Sequence, residues 1–343
     1  MRGGSEAMIN GWSVDSDGRP GPVLDACLRA AIAAPSVHNT QPWRFRLLDR
    51  MVEVYTDPSR RLAVLDPTGR ELTISVGAAV LNLRVAMLAR GRVPVMRLFP
   101  DPAQPSLAAQ VRLGPSVTPP DTAVMLSRAI PHRHTNRRPF SAVPVPPEVL
   151  ADLAAAARVE GGDLVVADPP VRDAVLSVVR AAEHRRRTDP AYRAELDEWT
   201  RDIPHRRDGV PPEAFGPWDA LELVPIRDFG LIQPLRRRAR VSFEDEPTIA
   251  VLYTAGDNPS EWLRAGQALQ RALLTATVRG VATTLMTQPL EIPELRALLA
   301  DSAAGLVAQA IIRFGYGPPS PPSPRRSLSD VLIHPESAPA PTS

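Results

Sequence analysis

The sequence predicts an α+β fold made of two similar halves that lie in tandem in one chain. Stretches with helical spacing of apolar residues alternate with short strand-like stretches, which indicates mixed α and β structure. The chain has 343 residues, of which 44% are hydrophobic, so it is long enough to form two domains with buried cores. Segments of the first half also recur in the same order in the second half.

The predicted elements of the first half follow from apolar spacing and from turn residues. Helices are expected where apolar residues repeat every three or four positions, and Gly91 ends the longer one. Strands are expected where β-branched and aromatic residues alternate with polar ones. In order, the predicted elements are a helix over 22–34, a hairpin of 44–48 and 52–55 that turns at Asp49-Arg50, a helix over 71–90, and strands at 93–98 and 108–113.

Comparison of the chain with itself predicts a tandem duplication. The recurring segments are individually weak matches, but they keep one order along the chain. The segment 23–34 pairs with the segment that begins at 149, at an offset of 126; 76–91 pairs with 265–280, at 189; and 111–114 pairs with 312–315, at 201. A long helix over 264–279 is therefore expected as the counterpart of the helix over 71–90.

The jump in offset from 126 to 189 predicts about 63 extra residues in the second half. They lie somewhere within about 172–246, between strands expected at 163–167 and 248–253. Long segments of this kind inside a compact fold are usually lids or disordered loops. Arginine runs at 185–187 and 236–238 within this insert fit either solvated faces or phosphate-binding sites.

These boundaries define the expected domain organisation. The first twenty residues are rich in Gly, Ser and Asp and are expected to be disordered. In order, we expect a disordered N-terminus over 1–20, a first half over 21–130, a second half over 131–330 with a lid-like insert over about 172–246, and a tail over 331–343.

Composition excludes several classes of function. All 40 basic residues are arginine, and 38 acidic residues leave a formal charge of only +2, so no concentrated basic face for nucleic acid is indicated. The absence of lysine excludes Schiff-base and P-loop lysine chemistry. Because Cys27 is the single cysteine, no disulfide within the chain and no thiolate metal site is expected. No apolar stretch is expected to reach membrane-spanning length, so we expect a soluble cytoplasmic protein.

The loop between the first helix and the hairpin concentrates polar side chains in a constrained backbone. Pro35 and Pro42 fix φ and hold the loop in one shape. Ser36, Asn39 and Gln41 offer both hydrogen-bond donors and acceptors between them. These features fit either the lip of a polar pocket or a well-capped turn.

This loop resembles the APSxxNxQPWxF signature of the nitroreductase superfamily of FMN-dependent oxidoreductases, and in particular of its fused, Acg-like branch. The resemblance implies a nitroreductase-like fold, in which the duplication reproduces the family's homodimer within one chain. It also implies that the loop lies against the flavin. The expected flavin-binding residues of the loop are Pro35, Ser36, Asn39, Gln41, Pro42, Trp43 and the adjoining Arg44.

A second segment, His132 to Phe140, contains several arginines between Pro131 and Pro139. Guanidinium groups bind phosphate oxygens bidentately, so the segment fits an anion site, although a surface linker is the alternative. The segment resembles the arginine-rich segment with which nitroreductase subunits hold the FMN phosphate. In the fused branch this segment has the sequence RTNRRPF. In this chain His134 replaces the first arginine of that sequence. The resemblance implies phosphate-site roles for Arg133, Thr135, Asn136 and Arg138.

Two further segments extend the resemblance to the end of the chain. The loop at 280–289 is similar to the one that passes beside the flavin ring, which implies roles for Thr284 and Met286. The pair Arg325-Arg326 is similar to the C-terminal basic pair that closes on the FMN phosphate.

The resemblance implies one FMN for each chain, because the duplication offset places Gly161 and Gly162 where the first half has Pro35 and Ser36. We expect a monomer that transfers a hydride through the flavin from NADH or NADPH to a small acceptor, such as a nitroaromatic or a quinone. The flavin supplies the redox chemistry, so no catalytic side chain and no metal is expected. The alternative is an FMN storage or sequestration protein, whose insert occludes the flavin.

Overall fold

The computed structural model describes residues 11–15, 19–219, 223–233, 238–301 and 304–333. Part of the N-terminal segment expected to be disordered is ordered in the structure. Trp12 is buried in the core of the first half, and Val14 forms an isolated bridge with Pro20. Residues 1–10 and 16–18 of that predicted segment lie outside the described residues.

The first half is a helix-flanked antiparallel sheet, as the apolar spacing predicted. Its described strands form one four-stranded sheet in the order β1-β2-β4-β3. The hairpin turn contains Arg50 in a left-handed conformation, with φ of 57°. The elements are α1 (Pro22–Ile32), β1 (Trp43–Leu48), β2 (Met51–Thr56), α2 (Arg70–Leu88), β3 (Arg92–Leu98), β4 (Leu107–Ser116) and α3 (Asp121–Ala129).

The second half contains an antiparallel sheet with the same strand order. Its four described strands pair as β5-β8-β10-β9, each position corresponding to one in the first sheet. The elements are α4 (Pro147–Val159), β5 (Asp163–Val166), α5 (Pro169–Arg187), α6 (Pro190–Thr200), the short parallel pair β6 (Trp218–Asp219) and β7 (Arg240–Val241), β8 (Thr248–Thr254), α7 (Pro259–Val278), β9 (Ala282–Leu285), α8 (Pro293–Ala297), β10 (Val307–Gly315) and α9 (Leu328–Val331).

The long helices α2 and α7 cross at the centre of the molecule, where each contributes a glycine. A Cβ atom on Gly77 would collide with the backbone oxygen of Leu263, and one on Gly266 would collide with that of Ile74. The two backbones therefore touch directly, as small residues allow at a close helix crossing. The two glycines are equivalent under the offset of 189 residues.

Helix α2 is long and apolar enough to cross a membrane by length and composition, which the sequence analysis did not expect. Its mean hydropathy reaches 1.5 over 18 residues, but 89% of that window is buried inside the protein. Among the described residues it is the one helix that meets this test. Its apolar composition is explained by its position in the core, and no membrane protein is indicated.

The chain between β5 and β8 contains the predicted insert and packs on the first half. Tyr192 and Leu196 of α6, together with Phe229, form one apolar cluster with Leu62 and Leu65 of the first half. Glu195 of α6 accepts hydrogen bonds from the backbone nitrogens of Val64 and Leu65, each at 2.9 Å. This part of the insert is therefore folded against the body. Residues 220–222 and 234–237, which include two members of the second arginine run, lie outside the described residues.

The described end of the chain returns to the first half. Val331 is fully buried in the core of that half, and the backbone nitrogen of Ile333 donates to the oxygen of Phe45 at 2.8 Å. This return brings the segment before α9, with Arg325, against the loop that follows α1. Residues 334–343 of the predicted tail lie outside the described residues.

Candidate functional site

The loop that follows α1 is held in a strained backbone conformation. His38, Asn39 and Gln41 all have positive φ angles, of 45°, 55° and 51°. Such angles are costly for residues other than glycine and cluster at functional sites. The hydroxyl of Ser36 stabilises the turn by accepting a hydrogen bond from the nitrogen of Gln41 at 2.9 Å.

Asn39 joins this loop to two distant parts of the chain. Its side-chain nitrogen donates to the backbone oxygen of Gly209 in the insert at 2.9 Å, and to that of Pro324 at 3.1 Å. Its side-chain oxygen accepts from Arg325 at 3.1 Å. Asn39 therefore fixes the position of Arg325 relative to the loop.

Gln41 has a similar supporting role. It is fully buried, and its side-chain nitrogen donates to the backbone oxygen of Arg207 in the insert at 2.8 Å. Its side-chain oxygen accepts from the backbone nitrogen of Arg326 at 2.8 Å. Gln41 therefore holds the loop, the insert and the backbone of Arg326 together. Neither Gln41 nor Arg326 lines the pockets.

Two adjoining pockets open between the loop and the second half. The larger has a volume of about 720 Å³ and the smaller about 450 Å³, both including space that is open to solvent. Because the two pockets have lining residues in common, they form one elongated site. The shared residues are Pro35, Ser36, His38, Thr135 and Arg137.

The smaller pocket contains two guanidinium groups that no described carboxylate pairs with. Arg133 is buried, and neither its Nε nor its Nη1 atom has a hydrogen-bonding partner among the described residues. The buried Nε atom of Arg325 is also without a partner in this part of the chain. Burial, with added repulsion from Arg325, lowers the pKa of Arg133 to about 9; burial lowers the pKa of Arg325 to about 10. Unpaired cations of this kind define an anion site.

His134, which replaces an Arg of the fused branch, also lines this smaller pocket. Burial and the nearby Arg133 lower its pKa to about 4. The side chain is therefore neutral at physiological pH, so it offers hydrogen bonds but adds no charge to the anion site.

The residues present fit the flavin mononucleotide that the resemblance implies. A phosphate group would supply acceptors for the unpartnered atoms of Arg133 and Arg325. The larger pocket continues from that point, and it has apolar walls suited to a planar ring. Its apolar walls include Ile74 of α2, Leu269 of α7, Leu285 and Phe229.

His38 lies where the two pockets meet and was not among the predicted site residues. It is 6% exposed, and neither ring nitrogen has a hydrogen-bonding partner among the described residues. Its ring meets Phe229 of the insert edge-on, with centroids 5.1 Å apart. Burial and the charges of Arg227 and Arg137 hold its pKa well below the usual value. A neutral, unpartnered imidazole can hydrogen-bond to a ligand in either pocket.

The structure puts Arg137, and not Arg138, into the site. Arg137 lines both pockets, lies 4.6 Å from the ring centroid of Phe229, and donates to the backbone oxygen of Ala214 at 2.9 Å. Arg138 is exposed and lines neither pocket. Thr135, which lines both pockets, forms an isolated bridge with Thr283 of β9 and fixes this segment beside the site.

The same correction applies at the end of β9. Thr284 is fully buried and hydrogen-bonds to the backbone oxygen of Asn136, and Met286 is fully buried in an apolar cluster of the second half. Their neighbours Leu285 and Thr287 line the larger pocket instead.

The remaining predicted residues support the site or lie away from it. Asn136 donates from its side chain to Pro318 at 2.7 Å and fixes the arginine segment. Pro42 and Trp43 are buried at the start of β1, and Trp43 belongs to the core of the first half. Arg44 is half-buried on β1 and lines neither pocket. Six predicted residues therefore line the pockets: Pro35, Ser36, Asn39, Arg133, Thr135 and Arg325.

Polar residues of both halves and of the insert complete the larger pocket. Sequence reasoning missed them because they come from elements far apart in the chain. They are Glu71 and Ser75 of α2, Arg227 of the insert, Thr287, and Gln309 of β10. Among the described residues, no group of three or more His, Cys, Asp or Glu side chains could hold a metal ion.

An elongated pocket with an anion site at one end, on a mixed α+β fold, defines a protein that binds an anionic small molecule. Residues 130–316 match the model of the Nitroreductase family. The chain is 37% identical over 319 residues to a Mycobacterium tuberculosis protein named "Putative NAD(P)H nitroreductase Rv3131", with 90% of each chain covered. This protein therefore belongs to the nitroreductase family.

A second curated relative agrees with this assignment. A second Mycobacterium tuberculosis protein, named "Putative NAD(P)H nitroreductase acg", is 30% identical over 320 residues, which cover 90% of this chain and 95% of the relative. Among solved structures, a nitroreductase with bound FMN from Desulfitobacterium hafniense is 12% identical, with a TM-score of 0.37, covering 61% of this chain and 97% of that one.

Proposed function

We propose that this protein binds FMN and acts as an oxidoreductase of the nitroreductase type. It passes a hydride from NADH or NADPH to a small acceptor, such as a nitroaromatic or a quinone. The observation that supports this most directly is a pair of guanidinium groups, those of Arg133 and Arg325, at one end of a pocket with apolar walls. Neither group has a described carboxylate as a partner. The names of the relatives support a reduced nicotinamide as the hydride donor.

In this proposal the chain's own residues bind and orient the cofactor. Arg133 and Arg325 hold the phosphate, while Ser36, His38 and Thr135 lie along the stretch between the two pockets. The apolar residues of the larger pocket would hold the ring, and Phe229 of the insert would limit the access of water to it. The bound flavin supplies the hydride chemistry.

We further propose that the two halves arose by tandem duplication and that each chain binds one FMN. The identical strand order of the two sheets and the equivalent glycines at the α2–α7 crossing support the duplication. The fused halves already bury this central crossing, so we propose a monomer, which we place in the cytoplasm.

The place equivalent to the flavin site is closed in the other copy, which supports the single site. The offset of 126 puts Gly162 opposite Ser36, and a Cβ atom there would lie 2.6 Å from that of Ala268. The adjacent Glu160 is buried and is bound by Arg84 at 2.5 Å and by Arg271 at 2.8 Å.

A second candidate function is FMN storage or sequestration. It is favoured by the insert, whose Arg227 and Phe229 line the larger pocket that we propose for the flavin ring. If the insert stays closed, a bound flavin would exchange electrons slowly.

One experiment tests both functions. The purified protein is assayed for FMN content, and the flavin absorbance is followed anaerobically in a stopped-flow instrument after mixing with NADH or NADPH. We expect close to one FMN per chain and bleaching within seconds, followed by reoxidation on adding a quinone. Bound FMN that dithionite reduces but neither nicotinamide reduces would favour storage, whereas protein without FMN would refute both functions.

A further inference from the structure

Two buried carboxylic acids lie between the larger pocket and a cleft that reaches the protein surface. Glu71, in the first turn of α2, lines both the larger pocket and this cleft, which has a volume of about 850 Å³. Glu291, just before α8, lines the cleft. The cleft also includes the exposed residues Pro67 and Pro293, so it is open to solvent.

The contacts of Glu291 fix one carboxylate oxygen and leave the other without a partner. Its Oε1 atom accepts from the hydroxyl of Thr287 at 3.0 Å and pairs with Arg227, and both of these residues line the larger pocket. Its Oε2 atom is buried and has no hydrogen-bonding partner in the described parts of the chain. A buried carboxylate oxygen without a donor is costly when ionised and tolerable when protonated.

Charges of both signs surround the two acids. Glu71 forms a buried ion pair with Arg70 and faces Arg227 and Arg296, with Asp66 nearby. Glu291 faces Arg227 and Arg186. Burial raises the pKa of both groups. The pKa of Glu291 is raised to about 7, mainly by burial; Arg227 opposes this shift and the charge of Glu71 adds to it. A group with this pKa gains and loses a proton near neutral pH.

We propose that Glu71 and Glu291 form a proton-delivery pair, which passes a proton from the solvent-filled cleft to the acceptor in the larger pocket. Glu71 lines the pocket and is the proton donor. Glu291 does not touch the acceptor; it takes up a proton from water in the cleft and passes it to Glu71. This inference rests on the proposed function, because it concerns the reduction of an acceptor in the flavin pocket.

The stoichiometry of acceptor reduction requires such a proton. Conversion of an aromatic nitro group to a nitroso group takes up one hydride equivalent and one proton; one N–O bond breaks, and the oxygen leaves as water. A quinone likewise takes up one hydride equivalent and one proton to become a hydroquinone. In both cases the pair loses one proton per turnover and regains it from water, while the reduced flavin supplies both electrons.

The test compares Glu71→Gln and Glu291→Gln with Glu183→Gln in the FMN-loaded protein. Glu183 is a matched control, because it is also buried and its pKa is also raised by burial, but it lines neither the larger pocket nor the cleft. Photoreduced protein is mixed anaerobically with benzoquinone at a series of pH values. The infrared C=O band of protonated carboxyl groups is recorded in parallel.

We expect reoxidation of the native protein to slow as pH rises through about 7. In Glu71→Gln it should be slower by about a hundredfold below that pH, which is a usual contribution of a general acid. In Glu291→Gln the pH dependence should be lost. An infrared band that disappears as pH rises through about 7 should be present in the native protein and in Glu183→Gln, but absent from Glu291→Gln.

The outcomes separate this proposal from the proposed function. Unchanged reoxidation rates and an unchanged infrared band in both Glu71→Gln and Glu291→Gln would overturn the proton-delivery pair, provided that FMN content and photoreduction are normal. Absence of FMN from the native protein would instead refute the proposed function.

Discussion

Replacement of Arg133 by Met should weaken FMN binding while it stabilises the apoprotein. Methionine keeps most of the side-chain volume but removes the charge. In the complex, Nε and Nη1 of Arg133 are free to make two charge-assisted hydrogen bonds to phosphate. At about 1.5 kcal/mol each, their loss amounts to about 3 kcal/mol, or roughly a hundredfold in Kd.

The apoprotein should respond in the opposite direction. Without an anion, Arg133 is a buried cation with unpartnered nitrogen atoms, and such a group destabilises the folded state by about 1–3 kcal/mol. Arg133→Met should therefore raise the midpoint of thermal unfolding of the apoprotein. Binding is measured by fluorescence titration of apoprotein with FMN, and stability by calorimetry.

The matched control is Arg138→Met, because Arg138 lies in the same segment but is exposed and lines neither pocket. It should leave both FMN affinity and apoprotein stability unchanged. The reasoning is refuted if Arg133→Met binds FMN with native affinity, or if Arg138→Met weakens binding as strongly as Arg133→Met does.

Three further predictions follow from the packing of the insert and of the central helices. Phe229→Ala removes the ring that covers the larger pocket, so stopped-flow reduction by NADH or NADPH should become faster; an unchanged rate would mean that the insert does not control access. Gly77→Ala forces a Cβ atom against the backbone of α7 and should cost about 3 kcal/mol or more in urea unfolding, whereas exposed Val159→Ala should cost little. Asn39→Ala removes contacts to the insert and to Arg325, and should therefore increase FMN dissociation about tenfold in a dialysis assay without a change in helix content by circular dichroism.

The elements of the two halves were predictable because apolar spacing and turn residues mark them locally. The predicted helix over 71–90 corresponds to α2 (Arg70–Leu88), and the predicted hairpin corresponds to β1 and β2. Helical and strand spacing of apolar residues determines such elements locally. The insert was detectable for a different reason: a change in offset between repeats reveals added residues without any knowledge of their structure.

The contacts of the insert could not be predicted in the same way. Its apolar residues, such as Phe215 and Phe229, lie in a stretch rich in proline and glycine, where no regular spacing shows which side is buried. Phe229 reaches the pocket through long-range packing against His38 and Arg137. Contacts of this kind depend on the tertiary arrangement and leave no local pattern.

Within the two halves, the predicted residues and the residues that line the pockets differ mainly by one position in the sequence. Arg138 was chosen where Arg137 lines the pockets, and Thr284 was chosen where the adjacent Leu285 does. Thr284 and Leu285 lie in strand β9, where a shift by one position turns the side chain to the opposite face. Family motifs identify the segment, but they do not determine which of two neighbouring side chains faces the ligand.

Burial and hydrogen bonding provide a way to choose between neighbouring residues. Arg133 is buried with unpartnered nitrogen atoms and lines the smaller pocket, whereas Asn136 is buried and uses its side chain to fix the backbone. Arg137 contacts Phe229 beside the pockets, whereas Arg138 is exposed. The anion site is therefore identified by buried guanidinium groups that have no described carboxylate as a partner, a feature that depends on the tertiary arrangement.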